Sequence, residues 1–302
     1  MVRPVAFHGN PETAASNAFQ QPPVAADPAA EQAAAALEFE GLAERLRDAG
    51  VEVIVVADTA SPPTPDSIFP NNWVSFHADG TVVLYPMMAP SRRGERRRDI
   101  LELLSQTHGF RVEHLLDLSG HEAAGRFLEG TGSMVLDRVN RVAYECLSPR
   151  TDLEVLAEAA RLLDYEPLAF AATDAEGVPI YHTNVLMSVG TDFAVLCEEA
   201  IRDAGQRAAV RRRLEETGHE IIPIRFDQLS CFAGNVLELA SRSGERLLAM
   251  SARALDALDA AQRTALEARC RLVAAPIATI EAGGGGSVRC MLAEIHLPRR
   301  AT

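Results

Sequence analysis

The chain has 302 residues, of which 47% are hydrophobic, and a formal net charge of −13. This length suits one large domain or two ordinary ones, and the acidic balance argues against a nucleic-acid-binding protein, which needs a basic surface. The sequence contains no run of about 18 apolar residues and its N-terminus has no signal-peptide pattern, so we expect no membrane partner and no secretion.

The cysteines and the absence of lysine exclude several kinds of binding and catalytic site. The five cysteines are an odd number and lack CxxC spacing, which argues against a disulfide framework or a zinc site and favours a cytoplasmic protein. All 29 basic residues are arginine. A P-loop lysine, a Schiff-base lysine and a catalytic lysine base are therefore excluded.

In chain order, the sequence repeats one set of predicted elements. An amphipathic helix over residues 29–50 precedes a β-branched run at 51–56, a turn-rich segment at 70–76 and an apolar strand at 81–87. The same order returns four more times, which indicates an internal repeat. The turns of the five units, 60, 52, 51 and 52 residues apart, lie at Asn72, Gly132, Asn184, Asn235 and Ser287.

Five units of this kind predict an α/β fold in which one domain, residues 1–302, forms a closed ring of ββα-type modules. Glycine or asparagine at a turn suits left-handed backbone, and we expect that role here. In such a ring the turns converge on one end of the axis. The side chains that we expect to meet there are those of Asn71, Asn72, Glu129, His182 and Cys290.

A cysteine nucleophile is the chemistry that these residues favour. Cys290 follows the glycines of residues 283–286, which permit a tight backbone and close approach of a flat substrate group. His182 is the candidate general acid/base. Glu129 beside it would fix the imidazole tautomer and favour its protonated form, although a turn-capping role for Glu129 stays open.

The chain resembles the guanidino-modifying (pentein, amidinotransferase-like) superfamily over nearly its whole length. The segments that carry the resemblance are "EGTGS", "LSPRTD", "HTNVL", "AGNVLEL" and "GGGSVRCM", in that order. "PSRRGE" is similar to a segment of the dimethylargininases. "RPVAFHGNPETAASNAFQ" together with "PDSIFPNNWVSFH" resembles the citrulline-utilization hydrolase branch.

This resemblance implies a five-bladed β/α propeller and hydrolysis at a guanidino or ureido carbon, with no metal and no organic cofactor. It implies that Cys290 is the nucleophile, His182 the acid/base and Glu129 its partner. It also implies that Arg150, assisted by Arg92 or Arg93, holds the substrate's α-carboxylate, a task that suits the planar guanidinium. The remaining candidates for substrate binding are Asn10, Asp66, Phe69, Asn71 and Asn72.

Asn72 departs from the pattern of the deiminases and dimethylargininases, which place an acidic residue there. A carboxylate suits a guanidinium cation, whereas an amide can donate to the oxygen of a neutral ureido group. Asn72 therefore favours citrulline as the substrate. It fits equally an enzyme that takes arginine through bound citrulline to ornithine, since bacterial arginine dihydrolases have asparagine there.

The interpretation that the sequence favours is a hydrolase that releases ornithine from citrulline through a covalent thiol adduct. The alternatives are an arginine dihydrolase or deiminase, then a dimethylargininase or an amidinotransferase, and last a non-catalytic binding module. The expected partner is a small molecule of the citrulline or arginine type. Whether the chain forms a homo-oligomer, and whether its N-terminal segment is a lid, stay open.

Overall fold

A computed structural model describes residues 1–21 and 27–300, and these form a mixed α/β structure with several small sheets. The strands are β1 (Val2–Arg3), β2 (Val56–Ala57), β3 (Val74–Phe76), β4 (Thr81–Leu84), β5 (His114–Asp117), β6 (Met134–Asp137), β7 (Val142–Cys146), β8 (Glu166–Phe170), β9 (Met187–Val189), β10 (Phe193–Leu196), β11 (Glu220–Pro223), β12 (Leu237–Ala240), β13 (Arg246–Ser251) and β14 (Arg271–Ala275). The helices are α1 (Pro11–Ala14), α2 (Pro28–Asp48), α3 (Arg98–Gln106), α4 (Gly130–Ser133), α5 (Leu153–Leu163), α6 (Thr183–Leu186), α7 (Ala204–Glu216), α8 (Phe226–Leu229), α9 (Ala252–Ala257), α10 (Ala260–Glu267) and α11 (Ala278–Gly284).

Four three-stranded sheets repeat one topology. They are β3-β4-β5, β6-β7-β8, β9-β10-β11 and β12-β13-β14. In each, the first two strands are antiparallel and the third is parallel to the middle strand. The middle strands are largely apolar and almost fully buried, as expected for strands covered on both faces.

The fifth unit differs from the other four. Its sheet is the parallel pair β1-β2, so Val56 is the one residue of the predicted strand 51–56 that pairs in it. The segment before Cys290 ends in α11, and Cys290 itself lies in the 3₁₀ helix Val288–Met291. The predicted strand that follows forms no named strand. Within the described residues the five sheets are separate, so no single closed sheet runs around the repeats.

Helices pack on the outer strands, and their ends follow ordinary capping rules. Asp27 caps α2, with proline at its first turn, and Asp152 caps α5. Phe39 and Leu42 of α2 are buried in a core that contains Ala275 of β14 and Cys290. Among residues 1–21 and 27–300, none of the helices has both the length and the apolar character needed to cross a membrane.

The repeat turns hold the site residues, but not in the conformation that we expected. In the described part of the chain, the non-glycine residues with positive φ are Arg141, Asp164 and Phe232, so the turn asparagines are not left-handed. Most turns instead contain a short helical segment before the inner strand: a 3₁₀ helix at Pro70–Asn72, then α4 and α6. These segments contact one another, which brings their side chains together.

Candidate active site

A small cavity lies where the repeat turns meet. Its volume of about 10 Å³ is close to the least that holds one water molecule. Cys290 and His182 both line it. The other lining residues are Thr13, Asn17, Asp66, Phe69, Asn72, Arg92, Arg150, Tyr181, Gly284 and Gly286. A much larger cavity of about 680 Å³ lies among β6, β9 and β12 and is lined by none of the predicted site residues.

The predicted Cys–His–Glu set is brought together and buried. His182 Nε2 lies 2.9 Å from Glu129 Oε2, and all three side chains belong to residues that are at most 3% exposed. Burial would raise the pKa of Glu129, but Arg150, His182 and Arg92 outweigh it and hold that pKa well below its ordinary value. The carboxylate is therefore ionised.

Glu129 favours the protonated form of His182, as expected, but burial outweighs it. The net pKa of His182 is lowered to about 4 by burial, with Arg150 and Arg92 acting in the same direction and Glu129 opposing them, so the imidazole is neutral at pH 7. A neutral imidazole that donates from Nε2 to the carboxylate has its lone pair on Nδ1. Nδ1 is thus the atom available to accept a proton.

Asn72 lines the cavity with its amide held in one orientation. Its Oδ1 accepts a hydrogen bond of 3.0 Å from Arg92 Nη1, which fixes the orientation of the amide. Its Nδ2 is buried and has no hydrogen-bond partner among the described residues. Gly132 permits this arrangement, because a Cβ there would lie 2.3 Å from Asn72 Nδ2 and 2.7 Å from His182 Nδ1.

Arg92, and not Arg93, reaches the cavity. Arg92 is 2% exposed and donates to both carboxylate oxygens of Glu95 at 2.9 Å. It lies 3.7 Å from Asp66 and 3.7 Å from Glu129. Arg93 instead donates to the Met87 carbonyl at 3.2 Å, and its side chain is 34% exposed. The structure therefore does not bring Arg93 to the site.

Arg150 lines the cavity but is engaged by the N-terminal segment. Its Nη2 donates to Ser16 Oγ at 2.8 Å and to the Thr13 carbonyl at 3.2 Å, and its Nη1 lies 3.4 Å from Glu129 Oε2. Asn17 Nδ2 donates to the Gly285 carbonyl at 3.2 Å. Residues 13–17 thus lie against the cavity and the Arg150 guanidinium.

Asn10 and Asn71 lie behind the cavity lining. Asn10 caps α1 and donates to Asp66 Oδ2 at 2.7 Å, so it orients a carboxylate that lines the cavity. Asn71 is fully buried, and within the described residues its amide has no hydrogen-bond partner. Nothing in the structure explains this unpaired amide.

The space left by the missing side chains of the glycines before Cys290 is filled by other protein side chains. A Cβ on Gly284 would lie 2.6 Å from the Phe69 ring, and one on Gly285 would lie 2.4 Å from Asn17 Nδ2. Gly285 also has a φ of +62°, which favours glycine. The glycines therefore let Phe69 and the N-terminal segment pack against the turn, and their effect on substrate space is indirect.

Sequence reasoning missed several residues at this site. Asn184 and Asn235 contact Cys290 Sγ, and their positions at repeat turns were a signal that we read only as backbone preference. Thr13, Ser16 and Tyr181 also surround the site, and no sequence pattern marked them. In the described part of the chain, no group of three or more His, Cys, Asp and Glu side chains is arranged to hold a metal ion.

Comparison with known proteins identifies the family. A family model described as N,N dimethylarginine dimethylhydrolase, eukaryotic, matches residues 3–297. The chain belongs to this family. The superfamily resemblance seen in the sequence is therefore confirmed, and the chain is a hydrolase that acts on carbon–nitrogen bonds of guanidino-type groups. No curated protein matches the chain.

Solved structures share the fold at low sequence identity. Apo ArgZ, an arginine dihydrolase from the ornithine-ammonia cycle in cyanobacteria, has a TM-score of 0.73 at 17% identity over 98% of this chain and 40% of that chain. The N-terminal domain of ArgZ bound to product gives 0.71 at 18% identity over 99% and 98%. A dimethylarginine dimethylaminohydrolase adduct gives 0.61 at 15% identity over 86% and 90%. This chain thus spans about 40% of the length of full-length ArgZ.

Proposed function

We propose that this dimethylarginine dimethylhydrolase family member is an arginine dihydrolase, which converts arginine into ornithine by two hydrolyses at Cys290. The same proposal takes residues 1–302 as one five-bladed β/α propeller, with the site at one end of its axis. The sequence alone favoured citrulline as the entering substrate. Similarity to arginine dihydrolase structures and to the dimethylarginine family supports a guanidino substrate better than citrulline alone.

The observation that carries the proposal is the free donor of Asn72. Because its Oδ1 is occupied by Arg92, the buried Nδ2 is the part of the amide that can meet substrate. A buried donor without a partner carries a desolvation cost that a substrate oxygen would remove. The ureido carbonyl of bound citrulline offers such an oxygen at the reacting end of the substrate, where a guanidino group offers none.

The same cavity also suits the cationic group of arginine. The carboxylates of Asp66 and Glu129 both lie within reach of it, and Glu129 is ionised. In a dry pocket an opposite charge stabilises a guanidinium strongly. Arg150 is the candidate for the substrate α-carboxylate, since its planar fork can form two parallel hydrogen bonds once it leaves Ser16.

The proposed reaction has two rounds at one thiolate. In the first, Cys290 Sγ attacks the guanidino carbon, the C–N bond to a terminal nitrogen breaks, and ammonia leaves with a proton. Water then attacks the adduct and gives citrulline. In the second, Sγ attacks the ureido carbon, ornithine leaves with its δ-amine protonated, and water releases the carbamoyl group as carbon dioxide and ammonia. In each round His182 Nδ1 takes the proton of the Cys290 thiol and passes it to the departing amine. It then takes a proton from the attacking water and returns it to sulfur when the C–S bond of the adduct breaks.

The test is to incubate the purified full chain separately with arginine, citrulline and dimethylarginine, and to quantify ornithine, citrulline, dimethylamine and ammonia. We expect ornithine and two equivalents of ammonia from arginine. We also expect ornithine from citrulline, and little turnover of dimethylarginine. Accumulation of citrulline from arginine would identify a deiminase, and dimethylamine as the main product would identify a dimethylargininase; either result overturns the proposal.

Cys290→Ser is the control for the nucleophile. A serine hydroxyl is far less nucleophilic than a thiolate, so we expect this variant to keep the fold and lose turnover of every substrate. Its thermal melting and circular dichroism spectrum check the fold. Wild-type rates in this variant would show that the chemistry occurs elsewhere.

A further inference from the structure

Two asparagine side chains contact the sulfur of Cys290. Asn235 Nδ2 lies 3.3 Å and Asn184 Nδ2 lies 3.5 Å from Cys290 Sγ. Both asparagines are at most 1% exposed, and they come from the turns of the third and fourth repeats. Of the side chains that the structure describes, these two are the hydrogen-bond partners of the sulfur.

The orientation of Asn235 is fixed by its other contacts. Its Oδ1 accepts from the Arg289 backbone N–H at 3.1 Å, and its Nδ2 donates to the Asn184 backbone carbonyl at 2.8 Å. Flipping the amide would break both bonds, so Nδ2 is the donor at 3.3 Å from Sγ, while Oδ1 lies 3.7 Å from it. The bond to the Asn184 carbonyl also ties the two asparagines to each other.

In the part of the chain that the structure describes, these amides are the side chains that donate to the sulfur, and the guanidinium groups of Arg92 and Arg150 line the same cavity. His182 is neutral at pH 7, so it does not supply a cationic partner to a thiolate. Buried sulfur ionises easily only when donors or positive charge are near. The other titratable or charged side chains that line the cavity or adjoin it are those of Asp66, Arg92, Glu129, Arg150 and Tyr181.

We infer that Asn184 and Asn235 form an amide pair that donates two hydrogen bonds to the Cys290 thiolate, and that they are catalytic residues of this hydrolase. The inference rests on the proposed role of Cys290 as the nucleophile. Both donors stabilise the anion when the thiol loses its proton, before attack. They stabilise it again when the C–S bond of the adduct breaks and the electron pair returns to sulfur.

The test measures the thiolate directly, without substrate. The purified chain is alkylated with iodoacetamide between pH 5 and 10, and the rate at the Cys290 peptide is followed by mass spectrometry. Because iodoacetamide reacts with the thiolate, the midpoint of the rate profile reports ionisation. For Asn184→Ala we expect this midpoint to move up by about one pH unit, since one donor to the anion is lost.

Asn184→Asp sharpens the test, because it keeps the shape of the side chain and faces the sulfur with a carboxylate. We expect a larger upward shift than for Asn184→Ala and a rate at pH 7 at least tenfold below that of the native chain. The partly exposed Cys231, alkylated in the same samples, is the internal control and should not change. Asn140→Ala, on a distant turn, is the matched asparagine control.

An unchanged midpoint in Asn184→Ala, with native melting temperature, would overturn the inference. Asn235→Ala also removes the support of the Arg289 N–H, so Asn184 is the deciding position. The outcome is separable from that of the proposed function. If the alkylation midpoint shifts in Asn184→Ala but the native chain does not turn over arginine, the amide pair is supported and arginine is rejected as the substrate. If the native chain turns over arginine but the midpoint does not shift, the proposed function is supported and the amide pair is rejected.

Discussion

At the residue scale, the oxygen of Asn72 accepts a hydrogen bond from Arg92, while its buried nitrogen has no hydrogen-bond partner among the residues that the structure describes. Asn72→Asp replaces this donor with a carboxylate oxygen, which attracts a guanidinium and repels a ureido oxygen. We expect the first hydrolysis of arginine to stay within about tenfold of the native rate, and the second to fall by about 100-fold or more, a loss of ~3 kcal/mol. Citrulline should then accumulate, as measured by product chromatography.

Asn72→Ala is the companion variant, because it removes the donor and adds no charge. It should slow the second hydrolysis less than Asn72→Asp does. If Asn72→Asp still releases ornithine from citrulline at the native rate, the amide donor has no part in the second round.

Gly132 is the residue that lets Asn72 and His182 approach each other. A Cβ at this position would lie 2.3 Å from the Asn72 amide nitrogen and 2.7 Å from His182 Nδ1, both far inside van der Waals contact. For Gly132→Ala we expect kcat/KM for arginine to fall at least about 100-fold, because both groups must move. Steady-state kinetics measure the fall.

Gly41→Ala is the matched control for Gly132→Ala. Gly41 lies within α2, and a methyl group at its Cα would have no neighbouring atom within 4 Å. Alanine there should therefore leave kinetics unchanged and stabilise the helix by about 1 kcal/mol. Native kinetics in Gly132→Ala would mean that the close approach is not required for turnover.

At the scale of elements, the N-terminal segment of residues 10–20 decides access to the site. Thr13 and Asn17 of this segment line the cavity of about 10 Å³, and Ser16 accepts a hydrogen bond from Arg150. We therefore expect the segment to move when the proposed substrate arginine enters. Asn17 ties it to the glycine turn by donating to the carbonyls of Gly284 and Gly285. The segment therefore covers part of the site in this structure.

Asn17→Ala should loosen this segment. Without the two hydrogen bonds, we expect thermolysin to cleave within residues 10–21 about fivefold faster or more in the absence of substrate, since one net hydrogen bond is worth ~1 kcal/mol. Mass spectrometry of the fragments gives the rate. Asn140→Ala is the control, and equal cleavage in both variants would mean that Asn17 does not hold the segment.

The elements also show how much the sequence could predict. The order of strands and helices in four of the five units follows from periodicity, because each unit must bury one strand pair and one helix face. The meeting of Cys290, His182 and Glu129 follows from the repeat itself. The contacts of Arg150 with Ser16 and Thr13 do not, since they join residues more than 130 positions apart and no local pattern encodes such a pairing.

At the scale of the whole molecule, buried neutral histidines make stability depend on pH. Burial and Arg138 lower the pKa of His77 from 6.5 to about 3, and burial lowers that of His182 to about 4. In the unfolded chain both titrate near the ordinary value, so between pH 6.5 and about 4 the unfolded state binds protons that the folded state does not. The free energy of unfolding therefore falls as the pH falls through this range.

His77→Gln isolates one of these contributions outside the active site. One hydrogen bond of 2.8 Å joins His77 Nε2 and Ser75 Oγ. A glutamine amide can keep this bond and does not titrate. Urea unfolding at pH 7.5 and pH 5 measures the free energy of unfolding of each variant. From pH 7.5 to pH 5, we expect the free energy of unfolding of His77→Gln to fall by about 2 kcal/mol less than that of the native chain. The reason is that the unfolded variant no longer gains a proton at residue 77. The control is His114→Gln, at an exposed strand position, which should lose as much unfolding free energy between the two pH values as the native chain does. If His77→Gln also loses as much as the native chain, His77 does not fold in its neutral form.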